Sequence, residues 1–176
     1  NKIVGIIGYG NTGKSFAKKL SGFGVKIFFY DLIKDKGDKY ATETSIKKIQ
    51  QNCDIISIHT SLTKTSIGLI NKSFIYNCKK SFWLINTSRG QCVVTNDIIN
   101  AIEQGKILGA ALDVIDLEKK SFNELTHTLK SKPKLLDYIN SKKIILTPHI
   151  AGWTHESKIN LSKIILKKIE NLKLLK

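Results

Sequence analysis

The stretch that most constrains this chain is its first. Ile3-Val4-Gly5-Ile6-Ile7 runs into Gly8-x-Gly10-x-x-Gly13 and then into Lys14 to Leu20. An unbroken apolar, β-branched run reads as a strand buried on both faces. Phe16, Ala17 and Leu20 form one face of a helix. Three glycines between a strand and a helix have separate duties: Gly8 allows a tight turn, Gly10 lets a pyrophosphate approach the backbone, and Gly13 lets helix and strand pack closely. The helix start adds unpaired N–H groups and a positive dipole end. A second strand, Val25 to Tyr30, ends at Asp31, 18 residues beyond Gly13. A carboxylate there accepts hydrogen bonds from a ribose diol. Leu32 and Ile33 follow it, so a 2′-phosphate would meet an acid without a basic partner; the expectation is NAD rather than NADP.

The pattern of strand and helix continues along the chain. After a polar surface connection, Lys34 to Thr42, Thr44 or Ser45 caps a short helix through Ile46, Ile49 and Gln50. Further strands are read at 54–58, 81–86, 107–112 and 143–146, and they end at His59, at Thr87-Ser88-Arg89-Gly90, at Asp113 and at Thr147-Pro148-His149. Helices are read over 71–78, after Thr95 with Gly105 just past the end, and from about Thr154 onward with Leu161, Ile165, Ile169 and Leu172 on one side. The irregular region 117–142, with Pro133 inside it, reads as a helical insertion. Alternating strands and helices imply right-handed crossovers, a parallel sheet and an α/β, doubly wound architecture with helices on both faces. In such sheets ligands sit beyond the carboxyl ends of the strands, where all of these polar residues fall.

Composition excludes more than it assigns. The 176 residues suit one domain, here read as a single dinucleotide-binding unit over 1–176. No apolar run is long enough to span a membrane, and no metal-ligand spacing occurs. Cys53, Cys78 and Cys92 read as reduced thiols, and the chain opens directly into a strand; both point to a cytoplasmic protein. The net charge of +15 invites a nucleic-acid reading. The lysines are spread over the whole chain, however, so solvated faces are expected and no nucleic acid partner. Against 29 basic residues that are otherwise all lysine, Arg89 is the single arginine. Such a residue suits a site that needs a planar, two-pronged donor for a carboxylate. His149, fixed at a strand exit by Pro148, suits transfer of the proton that accompanies a hydride.

GIIGYGNTG (Gly5–Gly13), HTSLTKTSIGLI (His59–Ile70), LINTSRGQCV (Leu84–Val93), LGAALDV (Leu108–Val114) and LTPHIAG (Leu146–Gly152) together resemble the nucleotide-binding domain of the D-isomer-specific 2-hydroxyacid dehydrogenases, most of all the 3-phosphoglycerate dehydrogenases. The resemblance implies a Rossmann-type fold and NAD as cofactor. It implies a catalytic trio of Arg89, Glu118 and His149. Asp116 competes with Glu118, which is preferred because it lies five residues past Asp113, as the family's acid does. The resemblance also implies that Asn11 and Thr12 contact the pyrophosphate. His59, Thr60, Ser66, Thr87, Ser88 and Gly152 would line the cofactor crevice, and Asp113 would accept a bond from the nicotinamide carboxamide. Lys119 and Ser61 stand where the family usually has proline. The implied reaction moves a hydride between NAD(H) and a 2-hydroxy or 2-keto acid, with 3-phosphoglycerate and serine biosynthesis first and glyoxylate or hydroxypyruvate reduction as the alternative. A dinucleotide-sensing interaction protein is the alternative of another class. The family's substrate-binding domain is expected to be absent from this chain, its turnover alone to be low, and a homodimer to form through this domain.

Overall fold

A computed structural model describes residues 2–116 and 133–172. Its seven strands are β1 (Ile3–Ile7), β2 (Lys26–Tyr30), β3 (Thr42–Glu43), β4 (Ile55–Ile58), β5 (Phe82–Asn86), β6 (Ile107–Leu112) and β7 (Ile144–Leu146). They form one sheet in the order β3-β2-β1-β4-β5-β6-β7, with every pairing parallel. The α/β, doubly wound expectation therefore holds. The order reverses between β1 and β4, which opens the crevice where open α/β sheets bind ligands.

Alternation along the strands sorts the core onto two faces. Val4, Ile6, Ile27 and Phe29 point to one side, where α1 (Asn11–Leu20) covers them with Ala17, Phe16 and Leu20. Ile7, Phe28, Ile56, Ile58 and Leu84 point to the other. There α2 (Ile46–Asn52), α3 (Lys72–Asn77), α4 (Thr95–Glu103) and α5 (Pro133–Asn140) pack against them through Ile49, Ile75, Ile98 and Leu135. The first face is covered on the β1–β2 side only: over β5 and β7, Trp83 and Ile145 are 49% and 63% exposed. Cys53, Cys78 and Cys92 are buried and free, and burial pushes the Cys53 and Cys78 thiols up to about 12.

Most helix limits follow local chemistry. Ser45, not Thr44, caps α2 by accepting from the Lys48 N–H. Gly105 follows α4 with φ +69°, the conformation a C-terminal glycine supplies. Thr95, read as a cap, is instead the first residue of α4, whose N-cap is Val94. β3 lies where only a surface connection was read; it is two residues long and carries no periodic signal. The final helix, α6 (His155–Asn171), starts about where it was read and is capped by Thr154, but none of its residues is buried.

Candidate functional site

The glycine turn is built as the motif requires, and its three glycines differ in physical demand. Gly8 leaves β1 at φ +92°, and a Cβ there would lie 2.7–2.8 Å from the backbone of His59 and Thr60. A Cβ on Gly13 would lie 2.2 Å from the Gly8 carbonyl oxygen, so α1 sits directly on the strand exit. Gly10 is the N-cap of α1; no side chain caps that helix, and a Cβ on Gly10 would meet nothing within 4 Å. Two glycines are thus required by the protein's own backbone, and the third faces open space beside the free N–H groups of Asn11, Thr12 and Gly13. That arrangement fits a diphosphate.

A cavity of about 440 Å³ opens from this turn, running between Gly8 and Gly10, Asp31 at the end of β2, and the loop after β4. Asp31 does two things there. Its Oδ2 accepts from the Tyr9 N–H at 2.7 Å, and its Oδ1 accepts from the Ile33 N–H at 2.9 Å. It is also paired with Lys36, whose Nζ lies 3.2 Å from Oδ1. Burial pushes this carboxyl up, but the two backbone bonds and the ammonium outweigh it and hold the group below the usual carboxylate value. The expectation of no basic partner at Asp31 is therefore corrected: the base comes from the following loop. Tyr9 fastens that loop to the turn, stacking on Phe29 at 3.8 Å and donating to Asp38 Oδ1 at 2.8 Å.

His59 lines the same cavity. Its Nε2 lies 2.9 Å from Ser57 Oγ, its ring is tilted against Phe16 at 5.0 Å, and its Nδ1 is buried without a hydrogen-bond partner. Burial pulls its pKa from 6.5 to about 4, so the imidazole is neutral at pH 7. Several crevice residues turn their hydroxyls inward instead of toward a ligand. Ser66 Oγ donates to the Ser61 carbonyl at 2.8 Å and accepts from the Thr63 N–H at 2.8 Å, closing that loop. Ser88 Oγ donates to the Thr60 carbonyl, tying the β5 exit to the β4 exit. Thr60 Oγ1 meets Cys92 Sγ at 3.4 Å, and Thr87 is exposed.

The second station lies past β5, β6 and β7. Arg89 is exposed, and its guanidinium donates to the Ser88 carbonyl at 2.8 Å. Asn86, fully buried, shapes this turn: its Oδ1 accepts from the Ser88 N–H and its Nδ2 donates to the Arg89 carbonyl. Asn86 was read only as a strand end, although asparagine at that position is a turn former. A Cβ on Gly90 would collide with the Ile115 carbonyl at 1.9 Å, so the turn rests on the β6 exit.

Asp113, 3% exposed, holds the β7 exit. Its Oδ1 accepts from Thr147 Oγ1 at 2.6 Å and from the Ile150 N–H at 2.9 Å, and its Oδ2 from the Ala151 N–H at 2.9 Å. One acceptor position is left on Oδ2 for any ligand. The His149 N–H donates to the Asp113 carbonyl at 2.9 Å, and His149 itself is exposed with φ +55°. A non-glycine residue in that region is strained and must be held by its surroundings; the Asp113 bonds on both sides of it do so. Gly152 is exposed with open space at its Cβ position. β5 and β7 flank β6, so Arg89 and His149 leave strands roughly 10 Å apart. Asp116 accepts from the Thr95 N–H at 3.1 Å and from the Thr95 hydroxyl. It thereby fastens the start of α4. Glu118 lies outside the described residues. Among the described residues, no group of three His, Cys, Asp or Glu side chains could hold a metal ion, and no helix is long and apolar enough to cross a membrane.

Known proteins share this sequence pattern and this fold. The sequence model of the "D-isomer specific 2-hydroxyacid dehydrogenase, NAD binding domain" matches residues 1–151. A D-lactate dehydrogenase of Staphylococcus aureus is 37% identical over 163 residues, covering 92% of this chain and 49% of that protein. A glyoxylate reductase of Thermococcus litoralis is 34% identical over 175 residues, covering 96% and 48%. The NAD-complexed structure of a D-isomer specific 2-hydroxyacid dehydrogenase from Lactobacillus delbrueckii ssp. bulgaricus superimposes with a TM-score of 0.79 at 29% identity, covering 98% of this chain and 53% of that one. The chain spans about half the length of the curated relatives it matches.

Proposed function

The chain belongs to the D-isomer specific 2-hydroxyacid dehydrogenases through their NAD binding domain, and from that premise we propose that it serves an enzyme moving a hydride between NAD(H) and a small D-2-hydroxy or 2-keto acid. Gly10 and the start of α1 hold the diphosphate, Asn11 and Thr12 contact it, and Asp31 takes the ribose. The dinucleotide, when bound, supplies the hydride acceptor or donor; the other steps fall to side chains. Arg89 anchors the substrate carboxylate with a two-pronged guanidinium. His149 takes the hydroxyl proton at its ring nitrogen in oxidation and returns it in reduction. Glu118 is the acid that would stabilise the imidazolium. Asp113 keeps His149 in its strained backbone conformation. What supports the reading is one observation: a single sheet edge carries the glycine turn after β1, Arg89 after β5 and the clamped His149 after β7.

The two curated relatives named above are a D-lactate dehydrogenase and a glyoxylate reductase, and neither is a phosphoglycerate dehydrogenase. We therefore rank pyruvate and glyoxylate ahead of 3-phosphohydroxypyruvate, and no described side chain marks a substrate phosphate site. The test is an NADH-oxidation assay of the full-length protein with each keto acid. His149→Ala should cut kcat by about 10²–10⁴ while NADH still binds. Undiminished turnover in that variant would remove His149 from the chemistry. Failure of every acid, with NADH bound, would favour the dinucleotide-sensing alternative.

A further inference from the structure

One tyrosine ties the glycine turn to the loop that walls the far end of the cavity. Tyr9 stands between Gly8 and Gly10 and is fully buried, its ring stacked on Phe29. Its N–H donates to Asp31 Oδ2 at 2.7 Å, where the loop between β2 and β3 begins. Its hydroxyl donates to Asp38 Oδ1 at 2.8 Å, near where that loop ends. The same Asp38 oxygen accepts from the Tyr40 N–H at 2.9 Å and the Ala41 N–H at 3.3 Å, so Asp38 holds its own backbone turn and presents it to Tyr9. Burial and the neighbouring carboxylate push the Tyr9 hydroxyl above its ordinary value, which keeps it a donor. Between these two ties the loop gives Leu32, Ile33 and Lys36 to the cavity. Leu32 and Ile33 are 63% and 65% exposed, so burial does not hold them. They are held by the fastening of the loop: at Asp31, at Glu43, whose Oε2 accepts from the Lys36 N–H at 3.3 Å, and at Tyr9. Of these three residues Tyr9 belongs to the glycine turn itself, so its hydroxyl sets how far the wall stands from that turn.

From this geometry, and resting on the dinucleotide-binding reading above, we propose that the Tyr9 hydroxyl is a positioning group for the adenosine half of the cofactor: through Asp38 it fixes the loop against which that half docks. Phenylalanine in its place keeps the stack on Phe29 and the main-chain bond to Asp31, and loses only the tie to Asp38. The freed loop then samples more conformers, and the entropy of ordering it opposes binding of the dinucleotide. Arg89 and His149 follow β5 and β7, on the other side of the point where the strand order reverses. Contacts to the nicotinamide half are therefore spared.

The test is titration of the full-length protein with NADH, read by the fluorescence of the reduced nicotinamide, with AMP and nicotinamide mononucleotide as the two competing halves. The proteins compared are wild type, Tyr9→Phe, Asp38→Ala and the double variant. Tyr9→Phe should weaken NADH and AMP about fivefold, the effect of one hydrogen bond, and leave nicotinamide mononucleotide unchanged. A fold loosened as a whole would weaken both halves. In the Asp38→Ala background Tyr9→Phe should bring no further loss, because its partner is already gone. The proposal is overturned if Tyr9→Phe binds NADH as wild type does, if nicotinamide mononucleotide weakens as much as AMP, or if the two losses multiply. Should Tyr9→Phe fail to fold, Asp38→Ala, a change at an exposed residue, must show the same split between the halves; an even loss there overturns the proposal as well. Failure of wild type to bind NADH would instead bring down the reading on which it rests.

Discussion

His59 shows how one buried ring ties the site to stability. Its pKa is pulled from 6.5 to about 4 by burial. Between those values the unfolded chain binds a proton that the folded chain refuses. Stability from this residue is therefore complete above pH 6.5 and is lost as pH falls toward 4, by up to about 3 kcal/mol. The carboxyls of Asp31 and Asp54 are held below 3.8 in the folded chain, so their loss comes at lower pH still. Urea unfolding at pH 7 and pH 4.5 should show wild type losing more stability than His59→Gln over that interval; parallel losses would mean the ring is not desolvated. The placement of Gly8, Asp31, His59 and His149 just past strands was legible because an apolar run that stops at a polar residue marks a strand end. Lys36 was not, because its contact depends on how the eleven-residue segment between β2 and β3 folds back. The inward-turned hydroxyls of Ser66 and Ser88 were equally hidden, since a motif gives residue types but not which way a rotamer faces.

The turn between β1 and α1 separates structural from functional glycine. A methyl on Gly13 meets the Gly8 carbonyl oxygen at 2.2 Å, a backbone atom that can yield only by moving strand or helix. Gly13→Ala should destabilise the fold by about 1–3 kcal/mol, the usual cost of overpacking. Gly10→Ala has open space and a negative φ of −80°, so it should unfold within about 0.5 kcal/mol of wild type. Its methyl would nevertheless stand where the diphosphate approaches, and NADH affinity should fall about tenfold. Thermal melts beside NADH titrations check both arms; equal melting losses in the two variants would contradict the division. Six of the seven strands were legible for a related reason. They are apolar runs ending in polar residues, and the tertiary sheet agrees with that local signal. β3 and the true start of α4 were not legible, because one is a two-residue pairing and the other is set by Asp116, 21 residues away in sequence.

Across the molecule, cover is unevenly distributed, and stability should be too. β1, β4 and β5 lie inside the sheet with neighbours on both edges and buried side chains on at least one face. α6, by contrast, has 17 residues and none of them is buried, with Leu161, Ile164, Ile165 and Leu166 each more than half exposed. A helix of that length with no buried residue gains little from packing and is marginal in water, because nucleation is costly and propagation barely favourable. Regions with few buried contacts open at far less than the global free energy. Hydrogen exchange of the 176-residue chain, read by mass spectrometry, should therefore show β4 and β5 amides protected by orders of magnitude. The α6 amides should exchange nearly as fast as those of a free peptide helix. Replacing Leu161 and Ile165 with glutamine should leave the melting temperature of the sheet unchanged, because neither side chain contributes burial to it. Protection of α6 equal to that of β4, or a drop in melting temperature on this double change, would mean that its apolar face is held against the body of the fold.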